Sequence, residues 1–212
     1  MVDCMFLTII IPIIIQIYIN RLSSKYRRIT NEKKLSGAEV AREILKYYKI
    51  KDVFVLETRY IKYNIFTSNS GCIKFSREDF HKADLSSLAY AAMESMHVVQ
   101  YYEGNKLLLF RNKFMKLIYA LCYTGYFILL YALLINAYNL IFFALSLFVL
   151  VFLFHLFTYK IEKEAKDRCL EDLSKIKLID EDERYQVKEL LNAYSLNYFA
   201  SIITCLAKFI KF

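Results

Sequence analysis

From Leu117 to Tyr159 the chain runs 43 residues without an Asp, Glu, Lys or Arg. That is about twice the roughly 20 residues a helix needs to cross a hydrocarbon core, so the stretch is too long for one span and too apolar for a solvated domain. Asn136-Ala137-Tyr138-Asn139 is its polar break and falls near the middle. The pattern predicts a membrane hairpin occupying 117–159, with spans near 117–135 and 140–159. The rest of the composition agrees: 57% of the residues are hydrophobic and 17% aromatic, with one Pro and four Gly, which is not the balance of an ordinary soluble domain.

Two further apolar runs bracket the chain. Cys4 to Asn20 offers 17 uncharged residues, at the short end for a span and also compatible with the core of a signal peptide. Asp3 ahead of it and the bulky Ile17-Tyr18-Ile19 running into Arg21 favour a retained anchor over residues 1–20. Leu190 to Ala207 is uncharged but holds Asn192 and Asn197, so residues 190–212 either span or lie in the interface. The expectation is a bundle of three to four spans.

The net charge of +8 is informative through its placement. Residues 21–34 carry +5, residues 106–116 carry +4, and Lys208 with Lys211 add +2, so the remainder of the chain is net −3. Basic excess at membrane edges is the positive-inside signature and not a base-reading surface. It predicts an integral membrane protein, with the lipid bilayer as partner, no nucleic acid, and residues 21–116 in the cytoplasm. The hairpin then returns a helical segment, 160–189, to the same side. Five cysteines without a C-x-x-C pair indicate neither a disulfide framework nor a cysteine zinc site.

Within 21–116, Ser36-Gly37-Ala38-Glu39 reads as a capping box opening an amphipathic helix near 36–48. Val53 to Leu56 and Gly71 to Ser76 read as short strands, with Asn69-Ser70-Gly71 as a turn. Asp84 then caps a helix, DLSSLAYAAMESMHVVQYY, ending near Glu103-Gly104. That helix carries Met93, Glu94, Met96 and His97. The zinc pattern H-E-x-x-H places two imidazoles at i and i+4 on one helix face with a Glu beside the first, and here Met93 stands where the first imidazole would be. Alone, E-x-x-H is common by chance, and Met93, Met96 and His97 read equally well as an apolar helix face with one polar residue.

The order of these segments, with LSGAEVAREIL at 35–45, Tyr63-Asn64, IKFS at 73–76 and SSLAYAAMESMHVVQYYEG at 86–104, resembles the neutral zinc metallopeptidases of bacterial membranes, the YugP-like family, over almost the whole chain. The resemblance implies an α+β fold: a small gluzincin-like domain of helix, short sheet and motif helix, joined to the membrane bundle. It implies zinc as cofactor, Glu94 as general base, and His97 with Glu162 as ligands, Glu162 lying in Glu162-Lys163-Glu164-Ala165-Lys166 where the family has an E-F-D-A-S-like segment. Met93 then marks the lost first His of a degenerate motif, and Met96 fills the place of a Gly. Lys166, one helical turn after Glu162, is expected to repel a divalent ion.

His81 is expected as a loop or capping residue, and His155 sits roughly 10 Å along the axis from Glu162, so neither replaces the missing ligand easily. Two ligands remain where a catalytic zinc has three plus water, so zinc is expected to be absent or weakly held. Three functions follow: a pseudoprotease binding a peptide or protein partner, with the strand Ile73, Lys74, Phe75 and Ser76 as its edge; an active cytoplasm-facing zinc endopeptidase completed by another ligand; or a membrane-anchored scaffold without peptide binding.

Reporter fusions after Lys34, Lys116 and Glu183 are expected to give the cytoplasmic signal. An external signal from any of them would place Glu94, His97 and Glu162 on different sides of the membrane.

Overall fold

The computed structural model describes residues 2–59 and 71–196. The Tyr63-Asn64 pair, Asn69 and Ser70 of the expected turn, and the C-terminal apolar segment from Asn197 onward lie outside the described residues. The protein is mostly helical, with the order α1 (Val2–Tyr26), α2 (Gly37–Tyr47), β1 (Phe54–Thr58), β2 (Cys72–Ser76), α3 (Arg77–His81), α4 (Leu85–Tyr102), α5 (Lys106–Leu134), α6 (Tyr138–Lys175) and α7 (Glu181–Tyr194). It divides into two compact units, one of residues 1–18, 106–160 and 196–212, the other of residues 19–105 and 161–195.

The first unit contains the hairpin. α5 and α6 meet through a core of Ile118, Cys122, Leu145, Phe148 and Val151, and Gly125 of α5 lies against the Phe148 ring, where a Cβ would approach its edge to 3.1 Å. Small residues at such a crossing let helix backbones approach, as between helices in lipid. The outward residues are as apolar as the inward ones, with Leu117, Phe127, Leu130, Phe143, Leu150, Leu153 and Phe157 all exposed. The chain turns between Leu134 and Tyr138 with Asn136 left-handed at φ 55°, a backbone region that Asn tolerates better than most residues.

Both helices outrun the expected spans. α5 begins at Lys106 and α6 continues to Lys175, because the Lys/Arg- and Glu-rich flanks are good helix formers that an apolar window does not see. Among the described residues two helices, α5 and α6, are long and apolar enough to cross a membrane. This corrects the expected count of three to four spans.

The second unit is an α+β domain built around α4. The capping box at Ser36 is present: the Ser36 amide donates to Glu39 Oε2 at 2.8 Å, and Ser36 Oγ accepts from the Glu39 amide. The Ser36 amide and the Ser36 hydroxyl, both donating to Glu39 Oε2, hold its carboxyl below the ordinary range. α2 then buries Val40, Ala41, Ile44 and Leu45 against α4. β1 and β2 pair in parallel, from Phe54 opposite Cys72 to Thr58 opposite Ser76. The pairing rules out a tight hairpin between them, since parallel strands need a longer crossover. Gly71 precedes β2 at φ 55° and its carbonyl accepts from the Phe54 amide at 2.9 Å.

β2 turns its side chains into the domain, with Ile73 and Phe75 fully buried, whereas β1 leaves Phe54 and Leu56 in solvent. Ser76 caps the short α3, and His81 is the last residue of α3, not a loop residue as expected; its Nε2 lies 2.9 Å from Glu57 Oε2. Asp84 caps α4 by accepting from the Ser87 amide at 2.7 Å. The segment 160–189 is not one helix: α6 ends at Lys175, and α7 starts at Glu181 with a second capping box from Asp180 and Glu183.

Gly37, the first residue of α2, packs where a Cβ would collide with the Asp79 carbonyl and press on that of Ser87 at 3.1 Å. Gly37→Ala is therefore expected to destabilise the protein by about 1–3 kcal/mol, read as a fall of several degrees in thermal unfolding.

Candidate functional site

α4 is buried almost all round, so what it places at Met93, Met96, His97 and Gln100 is set by packing and not by solvent. These four residues are 2%, 1%, 4% and 0% exposed, and Glu94 is half-buried. From α6 comes Glu162, 2% exposed. The structure therefore brings together His97 and Glu162, which are 65 residues apart: His97 Nε2 lies 3.1 Å from Glu162 Oε2.

The state of the imidazole follows from its other neighbour. Gln100 Nε2 donates to the Ile161 carbonyl at 3.1 Å. A carbonyl can only accept, so the Gln100 amide oxygen is the end turned toward His97, where it accepts from Nδ1–H at 3.0 Å. Nε2 is thereby the nitrogen presented to Glu162. The backbone of α6, one residue before the carboxylate, thus holds Nδ1 in its protonated form, and the contact of Nε2 with Glu162 Oε2 is a hydrogen bond when a second proton lies between them, on an imidazolium or on the carboxyl. Glu162 and Ile161 belong to the same turn, so orientation of the ring and of the carboxylate are coupled.

Two methionines close this corner. Met93 and Met96 are i, i+3 neighbours on the buried side of α4; burial at this depth contributes about 1.5–3 kcal/mol for each. The Lys166 ammonium lies 3.4 Å from Asp167 Oδ1, directed to a neighbouring carboxylate. Lys163 is exposed, and Glu164 accepts from Asn105 Nδ2 at 3.2 Å. His155 is buried within α6, in the other unit.

A group that sequence reading missed aligns α4 with α6. Arg168 donates from both guanidinium nitrogens to Glu103 at 2.5 and 2.7 Å, a bidentate geometry stronger than a single ion pair. It also donates to Tyr48 Oη at 3.3 Å, while Tyr48 donates to Asp172. Glu103 is the C-cap of α4 and Tyr48 that of α2, so one cluster ties the ends of both helices to α6. The Arg168 hydrogen bonds hold the Glu103 carboxyl below its ordinary range. Burial and the hydrogen bond to Asp172 push the Tyr48 hydroxyl up to about 12. The only sequence signal was four residues of complementary type, scattered over 125 positions and without shared periodicity.

The donor set can be tested against a zinc ion. The 3.1 Å between His97 Nε2 and Glu162 Oε2 is near the roughly 3.3 Å that separates two ligands on a tetrahedral zinc, and a ring Nδ1–H held by an amide oxygen is a usual outer-shell arrangement. Among the described residues no group of three His, Cys, Asp or Glu could hold a metal ion. The nearest substitute in sequence, Met93, offers a thioether, a soft neutral donor better suited to copper(I). The described residues do not make up a catalytic zinc site.

Comparison with known families gives a match to a family described as "putative neutral zinc metallopeptidase" over residues 1–212. No curated protein and no solved structure matches the chain.

Because the Tyr48 hydroxyl is raised in the folded state above its unfolded value near 10, its contribution to stability is complete below about pH 10 and is lost as pH rises toward 12. Unfolding followed by denaturant between pH 9 and 12 is expected to fall more steeply for the wild type than for Tyr48→Phe.

Proposed function

The chain belongs to the neutral zinc metallopeptidase family, and from that premise we propose that it is a membrane-held member that keeps the peptidase framework as a peptide- or protein-binding module and has lost the metal-dependent reaction. The observation that carries this reading is the corner of α4. Where the family motif has its first imidazole there is the buried Met93, Met96 next to His97 in the chain is buried as well, and His97 meets Glu162 directly. The length and apolar character of α5 and α6 support attachment to a bilayer, and the basic segments flanking the apolar runs support a cytoplasmic domain. Glu94 keeps its place three residues before His97 and would serve as general base only if a metal-bound water were restored beside it.

One observation favours the active alternative: the His97–Glu162 spacing and the Gln100 contact are what a metal pair would also need. Metal analysis separates the two. Wild-type protein is expected to purify with far less than one zinc per chain and to show no chelator-sensitive cleavage of unfolded casein. Met93→His combined with Met96→Gly should raise zinc occupancy, since it rebuilds the i, i+4 pair and clears the space beside His97. Any activity gained should vanish with Glu94→Gln. Stoichiometric zinc in the wild type, lost on His97→Ala, would overturn the inactive reading and show that a further ligand completes the site.

A further inference from the structure

β1 is an edge strand with unusual side chains. Phe54 is 68% and Leu56 45% exposed, while Val55 between them is buried. Two large apolar residues thus stand in solvent on one face of a five-residue strand. Among the described residues, the backbone hydrogen bonds to β1 come from β2 and Gly71, leaving the opposite edge of the strand without a ladder partner. Exposed apolar edges of this kind template pairing with another extended chain, and proteins normally blunt them with charge or cover.

Charge lies at one end of the strand. Immediately before β1, Arg42, Lys46, Lys49, Lys51, Ile50 and Val53 line a cleft of about 280 Å³. Glu43 is engaged with Lys46 at 3.5 Å, and exposed Asp52 follows Lys51, so residues 42–52 carry four basic and two acidic side chains, a net +2. Arg42 lies over the Phe80 ring at 5.6 Å, and Lys49 and Lys51 are exposed. Lys46 sits in the last turn of α2, where it complements the helix dipole. Lys49 and Lys51 come after the cap at Tyr48, so that role does not account for them. The cleft is lined by basic side chains together with the apolar Leu45, Ile50 and Val53, and Val53 directly precedes the strand.

We propose that the β1 edge and the basic cleft form one docking surface for an extended acidic segment of a partner protein. Alternate apolar side chains of the segment meet Phe54 and Leu56, its backbone adds to β1, and its carboxylates reach Lys49 and Lys51. A strand of five residues covers about 17 Å, so a segment of about eight residues spans both parts. This site is separate from β2, whose Ile73 and Phe75 are core residues, and from the His97–Glu162 corner, so it stands whether or not that corner binds zinc. Main-chain pairing supplies affinity in such strand addition, while side-chain pockets and charge supply selectivity.

The test is fluorescence anisotropy on the full chain in nonionic detergent, with a labelled peptide of four Val-Glu repeats and a matched peptide of four Val-Lys repeats. The Val-Glu peptide is expected to bind at least tenfold tighter, and added salt should narrow the difference. Lys49→Glu with Lys51→Glu should reverse the preference, and Phe54→Ser with Leu56→Ser should weaken both peptides. All four positions are exposed, and unchanged thermal unfolding of each variant establishes that loss of binding is local. N-methylation of the odd-numbered amides in one Val-Glu peptide and of the even-numbered amides in another distinguishes strand pairing from charge alone, because alternate amides face a given edge. One of the two should lose tenfold or more. Equal binding by both methylated peptides would overturn the proposal. So would an unchanged preference in the lysine variant, or lysine charges that govern binding to phosphatidylglycerol vesicles but not to the peptide.

Discussion

The contact between His97 and Glu162 is the constraint on which the domain depends. It joins α4 to α6 at a point where both side chains are nearly inaccessible to water, and a buried polar group left without its partner costs about 1–3 kcal/mol, more when charged. Neither residue can be removed alone without that penalty. Gln100 reinforces the junction through the Ile161 carbonyl, and the Arg168–Glu103–Tyr48–Asp172 cluster fixes the same two helices farther along. The ends of α2 and α4 therefore cannot shift relative to α6 without breaking charge-assisted bonds.

Much of this was legible in the sequence wherever a signal is local. The capping box at Ser36, the Asp84 cap, the break at Asn136 and the apolar hairpin each depend on residues within a few positions of one another, and each is present. Glu162 entered through family resemblance alone, since as part of a charged run it reads as a solvated helix leaving the membrane. What was not legible depends on pairing across the chain. Nothing local distinguishes parallel from antiparallel strands at 54–58 and 72–76, and the contact of His81 with Glu57 joins residues 24 positions apart. The pairing of Lys166 with the adjacent Asp167 at 3.4 Å was likewise not read from the helical spacing. The span count was overestimated because an apolar run was equated with a crossing.

The same corner carries the functional argument. A zinc site demands ligands that are polar, convergent and accessible, whereas Met93 and Met96 make the neighbourhood apolar and filled. In the proposed reading α4 and α6 are held by the contact between His97 and Glu162 and by burial of the two methionines, without a metal ion. The buried β2 and the exposed β1 present very different opportunities for a partner.

A double-mutant cycle on His97→Ala and Glu162→Ala, measured by equilibrium unfolding of the full chain with a zinc chelator present, tests this account most directly. A direct contact predicts a coupling of about 0.5–3 kcal/mol between the two sites, unchanged by the chelator. A coupling that is present without chelator and disappears with it would show that a metal ion, and not the two side chains themselves, holds α4 to α6.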